Sequence, residues 1–268
     1  MFRKVAINTG LLILAIFLFG ACSGYEKLLK NGSIEAKYEG GMQYYEEGNY
    51  LRAATLFGQI IPRLKGTTRA EELDYLNAKC HYEMGDYVMA GHYFREFVRT
   101  YFTSPRAEEA DFMGAYCYYK LNSRVELDQT NTYNAINAFS LFKTKFPNSE
   151  RIPEADTYIK EMQEKLVEKS YINAKLYYDL EKYKASIVAI SNSLMDYPDT
   201  KYREELLYLK LRSVYLMATQ SVSLKQLERF QDTVDEYYSF IDEFPESNYA
   251  REAERIYNES SSFLAKNN

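Results

Sequence analysis

The sequence predicts an all-α fold: a helical solenoid of about five helix–turn–helix repeats closed by a C-terminal capping helix. Three observations predict it. A small residue recurs at Ala53, Ala90, Ala135, Ser186 and Thr233, inside amphipathic runs 37 to 51 residues apart. Large apolar residues follow them at offsets of four, then three, then four, with Ser193 the one exception. Only 6 Pro are present in 268 residues, and three of them, Pro147, Pro198 and Pro245, directly follow the last apolar residue of a run. Offsets of four, three and four mark one face of a helix. A Pro directly after the last of them stops it.

The elements follow in chain order. Residues 1–21 are an address segment. Arg3 and Lys4 open it, and Leu11 to Ala21 is an uninterrupted apolar run. That run is shorter than the ~20 apolar residues a spanning helix needs, and it suits the hydrophobic region of a secretory signal. The run ends on Gly20-Ala21-Cys22, which resembles the lipobox of bacterial lipoproteins, with Phe19 where Leu is commonest. The resemblance implies cleavage before Cys22, with a diacylglycerol and an N-acyl lipid on that residue and no other cofactor. Ser23-Gly24-Tyr25 places no Asp after the Cys, which by resemblance to sorting rules implies the outer membrane, periplasmic side. Residues 22–33 are then a lipidated N-terminus and short tether.

Residues 34–248 hold the five repeats. The second, outer helix of each is the run already described. A first, inner helix precedes it: Gly41, Ala78, Ala115 and Ala174 lie three residues ahead of Tyr44, His81, Tyr118 and Tyr177. Breakers separate the two helices: Gly48-Asn49-Tyr50, Gly85-Asp86-Tyr87 and Glu181-Lys182-Tyr183. Gly at a helix end supplies the left-handed conformation of a tight turn. Small residues let paired helices approach, and rings fill the wedge between pairs. This accounts for most of the 27 Tyr and 15 Phe. Excess residues mark insertions at 122–131 in repeat 3 and at 219–227 in repeat 5. A long inner helix runs from about Ile152 to Tyr178. Residues 249–268 form the cap, with an amphipathic helix over about Tyr249 to Leu264.

The alternation of small residue, aromatic, Gly, Tyr, Ala, aromatic and Pro resembles the tetratricopeptide repeat. The stretch from Phe146 to Leu216 is more specific. It carries Phe146-Pro147-Asn148-Ser149, Tyr177-Tyr178 and Asp196-Tyr197-Pro198-Asp199-Thr200, and Phe244-Pro245-Glu246-Ser247 repeats the signature. Together with the lipobox it resembles the BamD family, tetratricopeptide lipoproteins of the β-barrel assembly machinery, the BAM complex. The resemblance implies a non-enzymatic factor that assists insertion of β-barrel proteins into the outer membrane. The implied partners are the periplasmic domains of a BamA-like barrel subunit, other BAM lipoproteins and unfolded outer-membrane protein substrates. By the same analogy the N-terminal repeats face substrate and the C-terminal repeats face the barrel subunit. Candidate partner contacts are Tyr45 and Tyr119 on inner helices, and Lys201 and Arg203 after the YPDT turn.

Other chemistry finds little support. A net charge of −5 argues against a nucleic-acid partner. No P-loop, GxSxG or HExxH motif is present, and no ligand set at zinc spacing, so neither a catalytic nor a metal site is expected. His81 takes the slot of Tyr44 and Tyr118 and reads as a packed residue. Cys80 and Cys117, inside first helices of adjacent repeats, read as buried thiols, with a disulfide between them as the alternative. Glu108-Glu109 and Glu204-Glu205 open helices, where they favour the dipole. The alternative function is a general scaffolding lipoprotein of the cell envelope, for structural or glycan-handling complexes. The absence of Trp weighs against a glycan platform.

Overall fold

The computed structural model describes residues 24–267, and every regular element among them is a helix. A short helix α1 spans 24–31. It is followed by α2 (Ile34–Glu46), α3 (Tyr50–Ile60), α4 (Thr68–Glu83), α5 (Tyr87–Thr100), α6 (Ala107–Lys120) and α7 (Thr130–Lys145). Then come α8 (Ile152–Asp179), α9 (Tyr183–Asp196), α10 (Arg203–Thr219), α11 (Ser223–Glu243) and α12 (Ala250–Asn267). The even helices α2 to α10 are the first members of five consecutive pairs, labelled inner, and the odd helices α3 to α11 the second members, labelled outer. The chain divides into two compact units. Among the described residues, unit 1 holds 24–122 and 130–159, and unit 2 holds 123–129 and 160–267.

The recurring small residues are the contact points of the repeat. Ala53, Ala90, Ala135, Ser186 and Thr233 have no exposed surface. Phe57, Phe94, Phe139 and Ile190, four residues further on, are equally enclosed. In repeat 1 the inner-helix partner is Gly41, and a Cβ there would come within 2.5 Å of the Phe57 ring. Gly is therefore required where the other repeats carry Ala. In repeat 5, whose first helix has no clear register in the sequence, Ser213 fills this place. It is fully buried, and its hydroxyl lies 3.2 Å from that of Ser186.

The turn between inner and outer helix is the same in repeats 1, 2 and 4. Asn49 N–H donates to Tyr44 O and Gly48 N–H to Tyr45 O; Asp86 and Gly85 do the same to His81 and Tyr82. This is a Schellman closure, which needs a left-handed residue after the helix. Gly48 (φ 75°) and Gly85 (φ 76°) supply it at no steric cost. In repeat 4 Glu181 takes that place with φ 56°, while Lys182 and Glu181 donate to Tyr177 and Tyr178. A side chain there costs about 1–2 kcal/mol, partly offset because Gly frees the unfolded chain. Glu181→Gly is therefore expected to raise stability by on the order of 1 kcal/mol in urea denaturation. A lower midpoint would show that the Glu side chain itself holds the turn.

The FPNS-type signature is a latch between repeats. Ser104, Ser149 and Ser247 each accept the N–H two residues on, at 3.0–3.1 Å. Each hydroxyl also donates to a carboxylate in the first turn of the preceding inner helix: Glu71, Glu108 and Glu204, at 2.5–2.6 Å. The acidic residues at these helix starts thus clamp the next loop as well as favouring the helix dipole. Thr200 makes the first of these bonds, from Tyr202 N–H at 3.3 Å.

Three sequence expectations change in detail. Residues 24–31, read as part of a tether, form a helix packed on repeat 1. Tyr25 meets Tyr44 edge-on at 5.5 Å, and Leu28 lies where a Gly40 side chain would go. The amphipathic spacing of Tyr25, Leu28 and Leu29 explains the docking. The excess in repeat 5 does not lengthen the turn. Only residues 220–222 separate α10 from α11, and the remainder adds helical turns to α11. The capping helix extends beyond Leu264, to Asn267. The repeat-3 insertion is a loop, over 121–129. The buried Gln129 amide donates to the carbonyls of Arg124 and Leu127, at 2.8 and 2.9 Å, and closes the loop on itself. Lys169 of α8 donates to Glu126 O at 2.7 Å, and Lys165 to Ser123 O.

Candidate functional site

A groove of about 880 Å³ lies in unit 2. The end of α8 supplies Tyr177, and the Schellman turn supplies Glu181 and Lys182. The helix α9 adds Tyr183, Lys184, Val188 and Asn192; α10 adds Met217, and α11 adds Arg229. The sequence places these residues by a simple rule. Val188 lies two residues after the enclosed Ser186, on the side of α9 that turns away from the core, and is 56% exposed. Thr55, His92, Asn137 and Asp235 hold the same position in the other repeats. An apolar residue therefore replaces polar ones at a surface position. Tyr177 is also exposed, and Leu180, next to the turn, is 56% exposed.

Charge at the groove is mixed but predominantly basic. Lys182, Lys184 and Arg229 face a single carboxylate, Glu181. Arg229 is held in place by Ser221 Oγ, with Met217 O at 3.5 Å. The result is an apolar floor with a cationic rim. Such a surface accepts an extended or helical protein segment by burying its apolar side chains, and it discriminates by charge at the edge.

None of the four expected contact residues lines this groove. Tyr45 is half-buried, with its ring 5.7 Å from Tyr50, and burial pushes its phenol above the ordinary value. Tyr119 lies between Tyr116 and Tyr158, at 5.4 and 4.4 Å. Both rings work mainly in repeat packing. Arg203 pairs with Glu243 through two guanidinium nitrogens, one bond at 2.9 Å, and donates to Pro198 O at 3.2 Å. Hydrogen bonding from Arg203 holds the Glu243 carboxyl below its usual range. Arg203 therefore ties the YPDT turn to the end of α11. Lys201 is exposed, over the Tyr202 ring at 5.1 Å, and shares a shallow hollow with Arg203. Cys22 lies outside the described residues.

The nucleophiles and titratable groups have structural surroundings. Cys80 and Cys117 are unpaired and enclosed, and burial pushes both thiols from 9.0 up to about 12. A thiol with that pKa is a poor nucleophile near neutral pH. His81 Nδ1 lies 3.1 Å from Asp86 Oδ2, tying the inner helix to its own turn, and the ring packs on Tyr93 at 5.0 Å. Among the described residues, no group of three or more His, Cys, Asp or Glu side chains could hold a metal ion. No described helix is long and apolar enough to cross a membrane.

Comparison with known proteins adds a family. No curated protein matches the chain. Among solved structures, a chain described as the TPR2AB-domain:pHSP90-complex of yeast Sti1 superposes loosely, with a TM-score of 0.37 and 14% sequence identity. The match covers 85% of this chain and 98% of that one. The family model described as YfiO, outer membrane lipoprotein, matches residues 30–226, most of the chain. The chain belongs to the YfiO family of outer membrane lipoproteins, the BamD family.

Proposed function

We propose that the protein is a non-enzymatic assembly factor for β-barrel proteins, lipid-anchored through Cys22 on the periplasmic side of the outer membrane. The unit 2 groove docks a periplasmic domain of the barrel-forming subunit, and the N-terminal repeats receive unfolded substrate. Membership of the YfiO family supports the setting. The observation that carries the docking role is the apolar floor of Tyr177, Val188 and Met217 beneath a cationic rim. An edge strand or amphipathic helix with acidic flanks fits it, because apolar burial supplies affinity while charge sets register and partner.

The test is retrieval of the barrel subunit from solubilised membranes with tagged protein. Val188→Glu places a carboxylate in the apolar floor at an exposed position, so the fold is preserved. Retrieval is expected to fall by roughly tenfold or more, the effect of burying an unpaired charge at an interface. Unchanged retrieval by a folded Val188→Glu protein would remove the groove from the docking role.

A further inference from the structure

We propose that the outer helices of unit 1, α3, α5 and α7, lie on the lipid surface itself, so that the protein is bound by a face as well as by its acyl chains. This rests on the Cys22 anchor of the preceding reading. Three independent features point to it.

The first is an apolar row. Leu51, Val88 and Tyr133 occupy the same position in three successive repeats, two residues before the enclosed Ala53, Ala90 and Ala135. They are 67%, 62% and 53% exposed. Stacked repeats bring equivalent positions into line, so the three side chains form a stripe. Phe102, two residues after the end of α5, and Leu141 on α7 are also exposed and share a hollow with Arg95 and Arg99.

The second is charge. In a chain of net charge −5, these three helices carry Arg52, Arg95, Arg99, Lys143 and Lys145 but a single carboxylate, Glu96, which pairs with Arg99. Asp156 and Asp111 from neighbouring helices meet Lys143 and Lys145, whereas Arg52 and Arg95 lie over tyrosine rings. The contrast is α11, with Glu228, Asp232, Asp235, Glu236, Asp242 and Glu243 against Lys225 and Arg229. Apolar and aromatic side chains interleaved with Arg and Lys suit a headgroup layer, where rings sit at the boundary and cations meet phosphates.

The third is the place where the chain leaves the described fold. Tyr25 is pinned by Tyr44 and by Arg52, whose guanidinium lies 4.9 Å from the Tyr25 ring centre. Arg52 adjoins Leu51, the first member of the stripe. Cys22 is three residues from Tyr25, and three extended residues span at most about 11 Å. A lipid carried by Cys22 is therefore tethered within about 11 Å of Tyr25, which packs on Arg52 next to the first member of the stripe. One anchored point brings the weak contacts of the stripe to a high effective concentration at the surface.

The chain contains no Trp, so one introduced Trp reports alone. Full-length lipidated protein carrying Val88→Trp, Tyr133→Trp or Leu224→Trp would be reconstituted into vesicles of phosphatidylethanolamine and phosphatidylglycerol containing brominated acyl chains. Leu224, 92% exposed on α11, is the control. The two stripe probes are expected to be quenched several-fold more than the control. Equal, weak quenching at all three sites, with the protein still floating with the vesicles, overturns the proposal and leaves the anchor standing. Protein that fails to float overturns the anchor and this proposal together. Stripe probes untouched by brominated lipid but shielded from acrylamide when the barrel-forming subunit is added would assign the row to a protein and overturn the lipid contact.

Discussion

Phe112→Ala is expected to cost about 3–5 kcal/mol, the range for removing a buried aromatic ring that its surroundings cannot replace. Phe112 is 2% exposed and lies within a ring cluster of unit 1. Its centroid is 5.4 Å from Phe139, 5.3 Å from Phe142 and 6.5 Å from Tyr158, and Arg151 covers one face at 4.6 Å. These neighbours come from α7, α8 and the loop between them, so truncation opens the join between repeats 3 and 4. A loss of this size is a large share of the 5–15 kcal/mol typical of a folded domain. Urea denaturation followed by circular dichroism measures it. Phe102→Ala is the companion, because Phe102 is 76% exposed and its loss is expected to change stability by less than about 0.5 kcal/mol. Equal effects of the two substitutions would contradict the wedge role given to the buried rings.

Cys22→Ser is expected to move the protein from the membrane fraction to the soluble one. Each buried methylene contributes about 0.8 kcal/mol, and two or more chains make attachment stable. On the proposed anchoring, removing the thiol removes the attachment point for all of them. Apart from the proposed docking on the barrel subunit, what remains is the exposed row of Leu51, Val88 and Tyr133, a contact too small to hold the protein at low concentration. Fractionation of cells expressing the variant, with flotation of the membranes, is the measurement. Persistence of Cys22→Ser in the outer-membrane fraction would show that something other than acylation holds it there.

The repeat was legible because packing repeats. Ala53, Ala90, Ala135, Ser186 and Thr233 stand out since a helix pair tolerates only small side chains at the crossing, and all five are enclosed. Glu181-Lys182-Tyr183 was legible as a turn by alignment with Gly48 and Gly85, although no propensity rule places Glu at positive φ. The Ser–Glu latch was visible only as a signature. Ser149 and Glu108 are 41 residues apart, and their bond depends on stacking that spacing alone does not reveal. The docking of α1 was hidden for a similar reason, because Leu28 needs the bare surface of Gly40. The groove escaped because surface residues follow no period. Its one available signal was Val188 standing where the other repeats carry polar residues. Tyr45 and Tyr119, drawn from the inner helices as contacts, are half-buried there and also pack on neighbouring rings.

Depletion tests the central claim most directly. If the protein scaffolds β-barrel assembly, removing it from growing cells lowers the amount of folded barrel proteins in the outer membrane, and unfolded precursors accumulate in the periplasm before other envelope functions fail. Normal levels of heat-modifiable, folded barrel proteins after full depletion would contradict the account and favour a general scaffolding role in the envelope.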